Sequence, residues 1–340
     1  MKVAFIIPSL ANKGPVLVVK DLVSGLVKRG VQCKIYYFDD IREVEFDAPI
    51  ERIKFTQRID FNAYDVVHSH CIRPDAYVFL HKPKKCSARC ISTSHNYMNV
   101  DLAYEYNAFI AFFATRLWRF FLKKHDVLVV LSNDAKRYYQ PWFPKKTIEV
   151  VYNSRKINTE TTENLNGETE ILNLKKSFSI IGVNALLTTR KGVDQLIDAL
   201  PFLPNHALVI VGNGKEQMHL KRQAEKNGVA ERCLFLGYQK NAHQYLKFYD
   251  IFAMPSRAEG FPLALLEAAH YKKNIVCSDI AIFQEILTAD DVTFFELNNI
   301  SSLTNAVNDA TNNDKGERVF KTCSEKYALD NFVNAYLRLY

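Results

Sequence analysis

Short apolar runs alternate with amphipathic stretches twice over in this chain, and that alternation restricts the fold more than any other feature. "KVAFIIP" reads as a buried strand and "PVLVVKDLVSGLVKRG" as a helix closed by Gly30. "QCKIYYF", "YDVVHSH" and "CISTSHN" read as further strands, residues 101–124 as one long helix, and "DVLVVLS" and "TIEVVYN" as strands again. Runs this apolar are buried on both faces, and helices between them supply the crossovers that parallel strands need. A polar stretch poor in aromatics follows, and the pattern restarts with "SFSIIGVNA", "GVDQLIDALPFL" and "HALVIVGNG". It continues through "CLFLGY", "IFAMP", "NIVCS" and "VTFFE". The expectation is an α/β protein of two Rossmann-like, doubly wound domains facing across a cleft, with ligands at the carboxyl ends of the strands. The first domain covers 1–155, a linker 156–175, the second domain 176–325, and a helix at 326–340 is free to cross back to the first domain.

Composition narrows the class. The 340 residues suffice for two separate cores. The amino end, "MKVAFIIPSLANKG", has too short an apolar run for a signal peptide, and Pro8 interrupts it. The longest apolar run elsewhere, "AFIAFFA", is too short to span a bilayer. Seven scattered cysteines complete no zinc site and read as reduced thiols of a cytoplasmic protein. Charge is unevenly divided. Residues 1–153 hold 23 Lys+Arg and 15 Asp+Glu, a net of +8, while residues 154–340 hold 21 and 22, a net of −1. An anionic partner is therefore expected for the first half alone.

The stretch "RAEGFPLALLEAAHY" carries the most chemistry. Glu259 and Glu267 have seven residues between them, on either side of a Gly-Phe-Pro turn. Gly260 permits a tight turn, and Pro262 suits the first position of a helix, where its missing N–H costs nothing. Glu259 then lies in the loop and Glu267 about one and a half turns inside the helix. The N–H groups of Phe261, Leu263 and Ala264 point out of that helix end, which favours an anion such as phosphate. Two acceptors beside an anion cradle suit a nucleotide sugar; a helix with an acidic start and a solvated glutamate is the plainer alternative. "LLTTRKGVDQLIDAL" sets Arg190 and Lys191 just before Gly192 and a helix, a pair able to neutralise a diphosphate or simply to face solvent. Gly212 in "VIVGNGKE" follows a strand but lacks the third glycine of a dinucleotide fingerprint. Gly14 separates the first strand and helix, and His95 ends a strand, open to a cleft or closed in a core. No Asp-x-Asp sits at a strand end, and no Gly-x-Ser-x-Gly is present.

In this order, Gly14, His95, Arg190-Lys191-Gly192, Gly212-Asn213-Gly214, Gly237 and Glu259 to Glu267, the chain resembles the retaining glycosyltransferases of family 4, with the GT-B fold. The most specific part is "PSRAEGFPLALLEAAHYKKNIVCSDIAIFQEI"; "DVVHSH", "LFLGY" and "VYNSRKI" are weaker matches. The resemblance implies that Glu267 accepts from the ribose hydroxyls and that Glu259 contacts the donor sugar. It implies that the turn Gly260-Phe261-Pro262-Leu263 holds sugar and phosphate through its N–H groups, and that Gly212 lies on the donor side. Lys191, with Arg190, would neutralise the leaving diphosphate, Gly14 would lie close to the donor, and His95 would face its sugar. It implies no cofactor and no metal. Family members usually carry an arginine five or six residues before the lysine; here Asn184, Ala185 and Leu186 stand there. "LANKGPV" likewise has Lys13-Gly14-Pro15 where many members have paired glycines. The expected reaction is transfer from a nucleotide diphosphate sugar, UDP-linked, to a glycan or polyprenyl-diphosphate-linked acceptor in cell-surface polysaccharide synthesis. A nucleotide-sugar epimerase of the same fold and a non-catalytic partner subunit are the alternatives. No nucleic acid is expected. The segment 107–124, "NAFIAFFATRLWRFFLKK", places phenylalanines at helical spacing among four cations, suited either to packing on its own sheet or to the inner face of a cytoplasmic membrane.

Overall fold

The computed structural model describes residues 1–106, 108–157 and 165–340. Asn107 of the expected long helix and residues 158–164 of the expected linker lie outside the described residues. The chain forms two compact units, Met1–Lys156 with Tyr327–Tyr340, and Ile157–Lys326.

Among the described residues, the first unit is built on seven parallel strands: β1 (Lys2–Ile7), β2 (Gln32–Tyr37), β3 (Ile50–Arg52), β4 (Val66–His70), β5 (Arg89–Thr93), β6 (Val127–Val130) and β7 (Thr147–Val150). Their order is β3-β2-β1-β4-β5-β6-β7, so the winding reverses between β1 and β4. The inner strands are buried on both faces, Val3 to Ile7 and Val66 to His70 throughout, which is why they read as unbroken apolar runs. Helix Gly14–Lys28 has Pro15 in its first turn, Lys28 in its last, and a buried stripe of Val16, Val19, Val23 and Leu26. Fully burying each such side chain stabilises the fold by about 1.5–3 kcal/mol.

Three features differ from the expectation. The long helix over 101–124 is divided into Met98–Glu105 and Ala108–Phe121, followed by a 3-10 turn at Leu122–Lys124. Tyr106 has left the helical region, with φ −118° and ψ −100°. Helices Ile72–His81 and Asn133–Tyr139 are additional; the second is short, and Ser132 Oγ caps it by accepting from Ala135 N at 2.9 Å. The returning helix is Leu329–Leu339. Val333 fills the space over Gly25, where an added Cβ would lie 2.3 Å from Val333 Cγ2. Ser154 Oγ donates to Tyr327 O at 2.7 Å, and Arg29 pairs with Asp330 at 2.6 Å.

The second unit has six parallel strands among the described residues: β8 (Ser179–Asn184), β9 (His206–Val211), β10 (Cys233–Gly237), β11 (Ile251–Met254), β12 (Asn274–Ser278) and β13 (Thr293–Phe295). The order β10-β9-β8-β11-β12-β13 reverses between β8 and β11. Val183, Leu196, Leu208, Ile210, Ala253 and Val276 are core residues. Within the expected linker, Glu168–Lys175 is helical. Only Ile171 among its residues is fully buried, too thin an apolar signal to read from sequence. Gly182 leaves room for the Tyr249 ring, since a Cβ there would lie 2.0 Å from Tyr249 Cδ2.

Candidate functional site

Neighbouring strands whose crossovers run in opposite directions leave a crevice at their carboxyl ends. In the second unit those strands are β8 and β11. The loops that leave them, 185–192 and 255–262, carry the cations and the first glutamate.

The two loops are bound together at several points. Residues Thr189–Lys191 make one 3-10 turn, and Gly192 ends it with φ +65°. A Cβ on Gly192 would lie 1.9 Å from Pro255 O, so only glycine lets the loops approach this closely. Gln195 Nε2 donates to the same Pro255 O at 2.8 Å. Arg257 N donates to Arg190 O at 2.8 Å, and the Arg257 guanidinium holds both oxygens of Asp194 at 2.9 and 2.6 Å. A two-point Arg–carboxylate contact fixes direction as well as distance.

Glu259 is buried at this junction. Its Oε1 accepts from Lys191 Nζ at 2.5 Å and from Ser256 Oγ at 2.6 Å, and Arg190 approaches Oε2 at 3.3 Å. Arg190 also donates to Ala258 O at 2.8 Å. Burial pushes the Glu259 carboxyl up. The charges of Lys191 and Arg190 and the hydrogen bonds from Lys191 and Ser256 outweigh it and hold the pKa below the usual value. Glu259 is thus ionised, and the cluster of two cations and one carboxylate keeps one net positive charge.

Helix Leu263–His270 follows. Pro262 is its N-cap, with φ −80° and ψ 113°, rather than its first helical residue. The correction moves the helix start by one position and leaves the N–H groups of the first turn at the same end. Gly260, Phe261 and Pro262 are buried, Leu263 and Glu267 half-buried. Glu267 stands on the second turn, where its charge adds to burial in raising the Tyr271 hydroxyl.

Gly212 takes φ +137°, and a Cβ there would lie 1.9 Å from Ala185 O. Its glycine is required by the close passage of the 185–187 backbone. Leu187 N donates to Asn213 O at 2.7 Å in the same place. Asn184, which precedes the two positions where an arginine was expected, Ala185 and Leu186, is held by the protein itself: Oδ1 accepts from the Tyr249 hydroxyl at 2.9 Å, and Nδ2 donates to Ala242 O at 2.9 Å. Arg190 is the second cation beside Lys191.

Gly14 and His95 belong to the first unit. Gly14 begins its helix, and a Cβ there would meet nothing within 4 Å, so the fold does not require the glycine. His95 is half-buried, with Nε2 2.8 Å from His70 Nδ1. Burial lowers its pKa to about 3, so the ring is neutral at physiological pH. His70 in turn lies 4.3 Å, centroid to centroid, from His68, which bonds the Tyr340 hydroxyl and Thr93 at 2.8 Å each. Ser256, Gln195, Arg257 and His70 are absent from the sequence-based set. Ser256 and Arg257 sit in the quoted glutamate stretch and His70 in "DVVHSH", but nothing in the residue pattern marks which neighbour a side chain will bond. Among the described residues, no group of three or more His, Cys, Asp or Glu is placed to hold a metal ion, and no helix is long and apolar enough to cross a membrane.

Comparison with known proteins agrees with this architecture. Residues 13–156 match Glycosyltransferase Family 4, and residues 168–326 match the glycosyl transferases group 1. The O-antigen biosynthesis glycosyltransferase WclY of Escherichia coli is 29% identical over 322 residues, covering 92% of this chain and 90% of that protein. The UDP-Gal:alpha-D-GlcNAc-diphosphoundecaprenol alpha-1,3-galactosyltransferase of Escherichia coli is 28% identical over 165 residues, 46% of this chain and 43% of that protein. Among solved structures, the sucrose-phosphate synthase of Thermosynechococcus elongatus superposes with a TM-score of 0.82 at 15% identity, covering 100% of this chain and 98% of that one. Anabaena HepE in complex with UDP and glucose gives 0.81 at 17% identity, covering 100% and 99%.

Proposed function

Since the chain belongs to the GT-B glycosyltransferases that join a family 4 domain to a group 1 domain, we propose that it transfers a sugar from a nucleoside diphosphate sugar to a glycan or lipid-linked acceptor, with retention. The observation that carries this is the Lys191–Arg190–Glu259 cluster at the switch point of β8 and β11. Its residual positive charge, next to the N-terminus of helix Leu263–His270, suits a diphosphate whose negative charge grows as the sugar departs. Glu259 orients the two cations and remains near enough to accept from a sugar hydroxyl. Glu267 accepts from the ribose. The N–H groups at Gly260, Phe261 and Leu263 hold phosphate, and Gly212 borders the donor; Gly14 and the neutral His95 of the first unit keep the donor-side roles that the family resemblance gives them. The departing phosphate oxygen takes the proton of the attacking hydroxyl on the same face, so no side-chain base is required.

The names of the relatives, which include UDP-galactose and O-antigen synthesis, support a UDP-sugar donor and a role in cell-surface polysaccharide assembly. The charge cluster supports a reaction independent of a divalent metal. Thermal-shift measurement against a panel of nucleotide sugars should raise the midpoint with a UDP-sugar, because a ligand of the folded state stabilises it. Mass spectrometry of acceptor mixtures should then detect a glycosylated product, also in EDTA, and the anomeric proton coupling of that product in NMR should show the α or β configuration of the donor kept. Donor conversion to an epimer without acceptor would replace this reading by the epimerase. Activity lost in EDTA and restored by Mn²⁺ would overturn the metal-free mechanism.

A further inference from the structure

Helix Ala108–Phe121 has two apolar faces, and the domain uses only one. Ala111, Thr115 and Leu122 lie at helical spacing on the inner side and are buried. Trp118 joins that side, its Nε1 donating to the buried Asp75 Oδ2 at 2.6 Å. These contacts fix the helix to its domain. On the outer side Phe109, Phe112, Phe113 and Leu117 are 73%, 49%, 55% and 52% exposed. Four such side chains on one stripe make a patch that a solvated surface seldom carries without an occupant.

The charge around the stripe says which occupant fits. From Tyr106 to His125 the sequence has no acidic residue and four basic ones. Arg116 lies over the Phe112 ring at 4.0 Å and Lys123 over Phe120 at 5.0 Å. Their stems lie along the aromatic face while the charged heads remain at its rim. Two copies of this face pressed together would set like charges against each other. A bilayer with anionic headgroups instead takes the rings into its interfacial zone and pairs the cations at the same depth.

We propose that the outer face of helix Ala108–Phe121 seats the protein on an anionic lipid surface. The face deepens the transferase reading by bringing a lipid-linked acceptor to the first domain, and it is tested without measuring transfer. The probes are vesicles of phosphatidylcholine and vesicles of equal parts phosphatidylcholine and phosphatidylglycerol, sedimented with the full chain at low and high salt. Binding is expected only to the mixed vesicles and should weaken with salt. Arg116→Gln with Lys123→Gln should reduce affinity about 5-fold per cation, about 30-fold together. Phe109→Ser with Phe113→Ser should abolish the salt-resistant part. Both variants should keep the wild-type thermal midpoint and its shift with donor, which shows them folded. Equal binding to the two vesicle types, no binding to either, or variants that bind like the wild type would each overturn the proposal. So would a concentration-dependent dimer that the phenylalanine variant dissolves, which would assign the face to a second copy. Failure of transfer with intact vesicle binding would count against the transferase reading alone.

Discussion

Glu259 Oε1 lies 2.5 Å from Lys191 Nζ, and this contact joins the loop after β11 to the loop after β8. The carboxylate is buried, and the lysine retains 19% of its side-chain exposure. Removing the lysine leaves a buried charge with the neutral Ser256 hydroxyl and one more distant cation, Arg190. We expect Lys191→Met to destabilise the protein by about 3 kcal/mol, near the low end for a broken buried pair, and the double variant with Glu259→Gln to recover much of it. Urea unfolding of both singles and the double gives the coupling. The same pair separates binding from turnover. Glu259→Ala releases the cations from their set positions and should lower kcat. Glu267→Ala, on the second turn of helix Leu263–His270, should mainly weaken nucleotide affinity. Each loss of a charged hydrogen bond corresponds to roughly 10- to 150-fold. Wild-type kinetics in both variants would remove the glutamates from the site.

Gly192→Ala is expected to cost more than an ordinary loop substitution. The residue sits at φ +65°, and the new methyl would overlap Pro255 O. The strained backbone alone is worth on the order of 1–3 kcal/mol. The separation of the loops would also lengthen the Gln195–Pro255 and Arg257–Arg190 contacts, so activity should fall with stability. Gly14→Ala, with open space at its Cβ, should leave the thermal midpoint unchanged while reducing donor affinity. A midpoint drop in Gly14→Ala equal to that of Gly192→Ala would mean that its glycine is structural.

Acid should weaken the first unit well above the usual carboxylate range. Burial lowers the pKa of His95 and His125 to about 3, and that of His68 and His70 well below 6.5. The unfolded chain protonates these rings near 6.5 and the folded chain only at lower pH, about 3 for His95 and His125, so stability present above pH 6.5 is lost as pH falls below it. Asp75 works the other way. Burial raises its pKa to about 7, so it favours the fold more as pH drops from 7 toward 3.8. Asp21 is also raised, chiefly by burial, and adds to Asp75. Four histidines outnumber two carboxyls, and each uncompensated proton is worth about 1.4 kcal/mol per pH unit. The thermal midpoint should therefore fall from pH 7.5 to pH 5.5, and His125→Gln should flatten that fall. A midpoint that rises on acidification would contradict the assignment. Glu259 adds loss only at lower pH, as its depressed carboxyl titrates.

Most of the architecture was legible because parallel strands buried on both faces leave dense apolar runs, and the helices between them leave a regular stripe. The breaks came where the signal is short. β3 has three residues, helix Asn133–Tyr139 seven, and helix Glu168–Lys175 a single fully buried anchor, Ile171. The division of the long helix depends on the backbone of Tyr106, which no composition reports. At the site, the residue types Lys191, Glu259 and Glu267 were readable from their spacing and from resemblance. Their partners were not. Ser256, Gln195 and Arg257 act through contacts that exist only once β8 and β11 are neighbours, and Gly212 turns out to make room for backbone.

The return of Tyr327–Tyr340 to the first unit also sets an order in time. That unit is not continuous in sequence; residues 157–326 are made between its two parts. At roughly 5–20 residues per second, those 170 residues occupy a ribosome for about 10–30 s. Throughout that interval Gly25 lacks its Val333 cover, and Thr93 and His68 lack the hydroxyls of Tyr336 and Tyr340. The unit that emerges first is therefore the last to be completed, and the half-made chain waits with an apolar seam uncovered while its second unit closes.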